Sequence, residues 1–203
     1  MARTDVSIFN ISHTRMGSST VITSLTDTTD MQAIQANLIY EETRDALLRE
    51  YPWRFATRHI KLEQNYADIN QSEFLYSYCY PDDCLRLLKV YSEGNERQDG
   101  REEHEVYSID CYNDVRIVAT DIEDAYADYI AQITDPELFD ANFVSCLTWR
   151  LAAELAVVFS KDFARRNELY KVYEIEIETA RTLDMSEGYK RIRNKRNKYA
   201  SAR

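Results

Sequence analysis

The chain has 203 residues, a formal net charge of -10, four glycines, three prolines and four cysteines. That length suits one domain with room for a small inserted lobe, burying roughly 70% of the unfolded surface. So few glycines and prolines exclude a long flexible linker. Cys79, Cys84, Cys111 and Cys146 fall at spacings that fit no zinc pattern, so reduced thiols in a cytoplasmic setting are expected. The first residues lack the charged and apolar regions of a signal peptide, and assembly outside a secretory route is expected. The charge is divided: from Ser186 onward there are seven basic residues and one acidic one, or +6, leaving 18 basic against 34 acidic, or -16, before it. An acidic body repels DNA and makes a poor sequence reader, but it suits a passage through which DNA slides without sticking.

In chain order, Asp5 to Arg15 reads as a short helix with Val6, Phe9 and His13 on one face and Gly17 as its stop. The hydroxyl-rich stretch Ser18 to Thr28 reads as a loop, since no lysine follows Gly17 as a Walker motif requires. Thr29 and Gln32 form a capping-box pattern that opens a long helix. Ala33, Ala36, Tyr40, Thr43, Leu47 and Tyr51 give its inner face, while Gln35, Glu41, Glu42, Arg44, Asp45 and Arg49 are expected in water. Pro52 ends it, with Tyr51 as the expected last position. Trp53 and Phe55 then pin the helix end to the core.

Period-two alternation follows in Ile60 and Leu62 and again in Phe74, Tyr76, Tyr78 and Tyr80, with Pro81-Asp82-Asp83 as a break. Leu85, Leu87 and Val90 give a further strand, and Ser92 to Glu103, with Gly94 and Gly100 among charges, is the expected mobile tip. Glu105 to Ile109 and Val115 to Thr120 flank a turn at Asn113-Asp114, and Tyr126 to Ile133 supplies the last strand.

Asp135 reads as a helix cap with Pro136 as first helical residue. Behind it Phe139, Phe143, Leu147, Leu151, Leu155 and Val158 recur at steps of four or three and must be buried. With Val144, Ala152, Ala153 and Ala156 also apolar, this is a central helix touched on most sides; Arg150 and Glu154 interrupt it, so no bilayer span is expected. A last helix is expected over residues 161-185, capped by Ser160, with Phe163, Tyr170, Tyr173, Ile177 and Ala180 inward, returning antiparallel along the central helix. Beyond Gly188 the chain is too basic and too poor in apolar residues to bury itself.

The class expected is α+β: an antiparallel helix bundle with an inserted small antiparallel β region and an extended basic C-terminal tail. Residues 1-56 and 135-185 supply the bundle helices, 57-134 the insert and 186-203 the tail.

Four motifs in order, Phe9-Asn10, Tyr51-Pro52-Trp53-Arg54-Phe55-Ala56, Pro81-Asp82-Asp83-Cys84-Leu85-Arg86 and Leu151-Ala152-Ala153-Glu154-Leu155-Ala156, span nearly the whole chain. Each is weak alone, but their order and spacing resemble the head-to-tail adaptor proteins of short-tailed bacteriophages, also called tail tubular protein A. The resemblance implies a structural virion protein of the neck, assembled in the host cytoplasm. It implies a homo-oligomeric ring, expected to be dodecameric, between the portal protein and the tail nozzle protein. DNA would pass through its channel without sequence-specific binding; no cofactor and no membrane are implied. In that family the C-terminal extension reaches the portal. The carry-over falls on Lys190, Arg191, Arg193, Lys195, Arg196 and Lys198, with Tyr189, Ile192 and Tyr199 as interleaved anchoring groups.

The residues themselves offer little that asks for an enzyme. Glu102, Glu103 and Glu105, and Asp121, Glu123 and Asp124, are carboxylate clusters of the kind a hydrolase uses, but in an acidic chain such runs are usually solvated loops. His13, His59 and His104 are scattered and fit no metal-site spacing, and no Gly-x-Ser-x-Gly elbow occurs. No catalytic, metal or cofactor-binding residue is therefore assigned. Two other functions share the same features: a nucleic-acid-binding accessory protein using the basic tail, and a virion cell-wall hydrolase.

Overall fold

The computed structural model describes residues 3–18, 21–25, 31–65, 73–92, 106–112 and 114–187. They form a mixed α+β fold of four α-helices and two small antiparallel sheets. Helix α1 (Asp5–Met16) opens with a reciprocal cap: the Ser7 N–H donates to the Thr4 hydroxyl and the Thr4 N–H to that of Ser7, each at 3.1 Å. These bonds satisfy two donors that a helix start leaves orphaned. Gly17 ends α1 as expected, at φ 94°, where a Cβ would be strained. Ile8 and Phe9 are wholly buried.

Helix α2 (Met31–Glu50) buries Ala36, Tyr40, Leu47 and Leu48, and the Tyr40 hydroxyl donates to Asp5 at 2.6 Å, tying α2 to the start of α1. The expected cap at Thr29 lies outside the described residues. Arg44, expected in water, is buried instead; its Nε donates to Asp45 Oδ1 at 2.8 Å, so the guanidinium takes its counter-charge inside with it. The helix stops at Glu50, one residue before the expected Tyr51.

Pro52 turns the chain into an elbow. Trp53 there is wholly buried, donates its indole N–H to the Leu47 carbonyl at 3.0 Å, and meets Phe143 edge-on at 5.2 Å between ring centroids. Phe55 lies against Phe143 and Phe139. Phe139 and Phe143 are buried in turn, so these rings are where α2, the elbow and the next helix meet.

Six strands follow: β1 (Thr57–Lys61), β2 (Tyr76–Cys79), β3 (Cys84–Ser92), β4 (Tyr107–Tyr112), β5 (Val115–Thr120) and β6 (Ala125–Ala131). They divide into two antiparallel three-stranded sheets with orders β1-β6-β3 and β2-β5-β4. Strands β4 and β5 pair up to Tyr112 opposite Val115, with Asp114 at φ 64°, a value aspartate tolerates better than most residues; Asn113 of the expected turn lies outside the described residues. In the other sheet β6 is central; its register sets His59 and Lys89 opposite Asp128 from the two sides. Of the expected tip from Ser92 to Glu103, Ser92 ends β3 and residues 93–103 lie outside the described residues.

Asp135 caps a single 3-10 turn, Pro136–Leu138, and not the long helix. Phe139 is extended (φ -69°, ψ 138°), which breaks the turn, and helix α3 (Ala141–Ser160) starts afresh with Asp140 accepting the Asn142 N–H at 2.7 Å. Phe143, Cys146, Leu147, Leu151, Ala152, Ala153, Leu155 and Ala156 are wholly buried. Val158 is exposed, because the apolar face runs past the groups that cover it. By length and composition Ala141–Phe159 could cross a membrane despite Arg150 and Glu154, so those two charges do not disqualify it; half of that stretch is buried inside the fold.

Lys161 takes the left-handed conformation (φ 53°) and Asp162 caps helix α4 (Phe163–Ser186), accepting the Arg165 N–H at 2.9 Å. The expected cap at Ser160 is therefore two residues early. Phe163, expected inward, is exposed, since it sits on the first turn beside the open link. Contacts of α3 with α4 run in opposite order, Ser145 with Glu176, Arg150 with Tyr173 and Glu154 with Arg166, so the two helices are antiparallel. Helices α1 and α2 also pack against α3. Arg15 of α1 caps the Ser145 carbonyl at 2.9 Å and lies 4.2 Å over the Trp149 ring.

Candidate functional site

The residues assigned to docking from sequence, Tyr189, Lys190, Arg191, Ile192, Arg193, Lys195, Arg196, Lys198 and Tyr199, lie outside the described residues. The ground from which they spring is described. Near the end of α4, Asp184 is buried and faces the elbow: the Arg54 N–H donates to its carboxylate at 3.4 Å, and Arg54 Nε donates to its carbonyl at 2.7 Å. The Tyr51 hydroxyl donates to the Arg181 carbonyl at 3.4 Å. Glu50, the last residue of α2, collects three donors at 2.8 Å: Arg150 from α3, and Tyr173 and Arg181 from α4. Burial, then the Glu50 carboxylate, hold the Tyr173 hydroxyl well above the ordinary phenol value, so it stays a donor. The end of α2 is thus tied to the middle of α3 and to α4, and the last turn of α4 is held beside the Pro-Trp-Arg-Phe-Ala elbow.

A second cluster, absent from the sequence reading, sits on the outer face of the β1-β6-β3 sheet. Asp128 is buried in β6, and three side chains converge on it: His59 Nδ1 at 2.5 Å, Lys89 Nζ at 2.8 Å and the Tyr91 hydroxyl at 3.0 Å. Burial works to raise the Asp128 carboxyl, but hydrogen bonds from Lys89, His59 and Tyr91 overcome it and hold the group below the usual carboxylate value. Lys89 also lies 4.8 Å from the Tyr91 ring centroid, and Tyr91 stacks on Tyr126. The cluster joins all three strands through one carboxylate. The signal for it was in the sequence: a charged residue in the middle of an apolar strand needs partners on the flanking strands. Which strands flank it was not legible.

The other groups weighed from sequence are dispersed or spent on structure. Asp121 accepts the Leu75 N–H at 3.0 Å, and Asp124 pairs with Lys61 at 2.7 Å. Glu102, Glu103, His104 and Glu105 lie outside the described residues. His13 is buried between the rings of Phe9 and Phe159. Cys84 and Cys146 are buried free thiols, and burial pushes the Cys146 thiol up to about 12, far from a reactive thiolate. Among the described residues no group of three or more His, Cys, Asp or Glu is placed to hold a metal ion. No protein-family model matches the chain, and no curated protein matches it.

Proposed function

We propose that this chain is a structural virion protein, a head-to-tail connector adaptor. In this reading copies form a ring between the portal and the tail nozzle around the DNA channel, and the tail from Tyr189 to Tyr199 docks on the portal. The four helices are read as an antiparallel bundle with the β region inserted between its halves. The observation that carries the reading is where the resemblance motifs fall. Pro52-Trp53-Arg54-Phe55-Ala56 is the elbow between α2 and β1, and Pro81-Asp82-Asp83-Cys84 is the turn into β3. Leu151 to Ala156 is a deeply buried part of α3. Motifs at a fold's joints bear on its architecture, and the position of these motifs at joints and in the core supports the resemblance. The charge division adds to this: a +6 tail on a -16 body suits a cationic arm reaching an acidic partner.

The same tail charge favours a second reading, a nucleic-acid-binding accessory protein whose Lys and Arg neutralise phosphates. Sedimentation with purified portal, and separately with duplex DNA, of the intact chain and of a chain ending at Gly188 separates the two. The adaptor reading expects portal binding by the intact chain that weakens with added salt and drops at least about tenfold on truncation. Undiminished portal binding by the truncated chain, with loss of salt-sensitive DNA binding, would replace it with the accessory-protein reading.

A further inference from the structure

Helix α4 has two apolar faces. Leu169, Tyr173, Ile177 and Ala180 are buried on one side. On the other, Val172, Ile175 and Leu183 are 38%, 70% and 45% exposed. With Thr179 between them they recur at steps of three and four, so they form one row along the outer side of the helix. A row of that kind in water costs free energy that a cover would recover. Exposed Glu168, four positions from Val172, and exposed Glu178, three from Ile175, border it and carry i,i+3 partners in Arg165 and Arg181, so the cover it fits is a segment with apolar anchors among cations.

The chain carries such a segment immediately downstream. Residues 189–203 set Tyr189, Ile192 and Tyr199 among seven Lys and Arg and no acidic residue. Gly188 stands where the chain would have to reverse, and glycine enters the left-handed conformations of a tight reversal without the usual penalty. The reach is sufficient. Val172 lies sixteen positions back from Gly188, about 24 Å of helix, and fifteen residues in an extended form span up to about 50 Å.

We propose that, until a partner takes it, the segment 189–203 lies back along the outer face of α4. Ile192 and Tyr199 cover the row from Leu183 to Val172, and the cations lie beside Glu168 and Glu178. This rests on the reading of the tail as a docking arm and adds its regulation: the arm's anchors and charges are held by its own helix, and a partner must displace that contact. Docking affinity is then reduced by the fraction of chains whose arm is engaged.

Hydrogen exchange of the full chain tests this with no portal present, at a concentration where sedimentation velocity shows a monomer. Expected is slowing of amides between residues 189 and 203 by on the order of tenfold. Ile175→Asp, the double variant Glu168→Lys with Glu178→Lys, and salt of about 0.5 M should each abolish it. Unchanged exchange over α3 in these variants confirms that the fold is intact. Exchange of the tail at unprotected rates in the unaltered chain would overturn the proposal. So would protection indifferent to the α4 variants, or protection that appears only with dimer, which would give the row to a second copy. None of these results bears on the portal measurement, so the docking reading and its regulation fail separately.

Discussion

Leu151 sits in the middle of α3 with none of its surface exposed. Its replacement by alanine removes a branched side chain from a site that cannot collapse around the loss. Leu151→Ala should therefore cost about 2 to 5 kcal/mol, read as a lower denaturant midpoint at unchanged slope. Its burial was legible because six apolar residues at helical spacing leave little choice. Arg44 and Phe163 were misread because the wheel shows which side of a helix a residue is on, but not whether a counter-charge lies inside or where the covering element stops. Asp128 gives a second test at this scale. Its folded pKa is depressed, so the stability it contributes is present above the unfolded value near 3.9 and is lost as pH falls through the folded value. Asp128→Asn should lower stability at neutral pH and flatten the dependence of the unfolding midpoint on pH below about 4, with the unaltered chain as the steeper reference.

Between elements, Glu50 matters more than its exposed position suggests, because one carboxylate holds α2 to both later helices. Glu50→Ala leaves Arg150, Tyr173 and Arg181 without their shared acceptor. Amide exchange over residues 173–187 should quicken several-fold while the middle of α3 keeps its protection. If both helices changed together, the carboxylate would be holding the whole fold and not the α4 end alone. Existence and type of the four α-helices and six strands were legible in the sequence, since period and punctuation are local, while the 3-10 turn Pro136–Leu138 was read as the start of the long helix. Starts were less so: Asp135 and Ser160 are sound caps by residue type, but Asp140 and Asp162 lie close by and the chain used those. Strand partnership was not legible at all. His59 and Asp128 are 69 positions apart, and nothing local says that β6 divides β1 from β3.

Over the whole molecule the legible feature was charge. A body of -16 and a tail of +6 are written in the composition, while the apolar row on α4 that gives the tail a place to rest required knowing which side of that helix faces α3. Sheet order has one more consequence, and it concerns birth and not the finished protein. Among the described residues both outer strands of the β1-β6-β3 sheet pair only with β6, the last strand described in the region. On the ribosome β1 and β3 must therefore remain unpaired until Ala125–Ala131 has emerged, whereas α3 and α4, joined by two residues, close on each other as soon as both exist. The contacts that span most sequence in this sheet form late, and a chain stalled before Ala125 exposes two strands, the longer of them the apolar β3, with no partner to receive them.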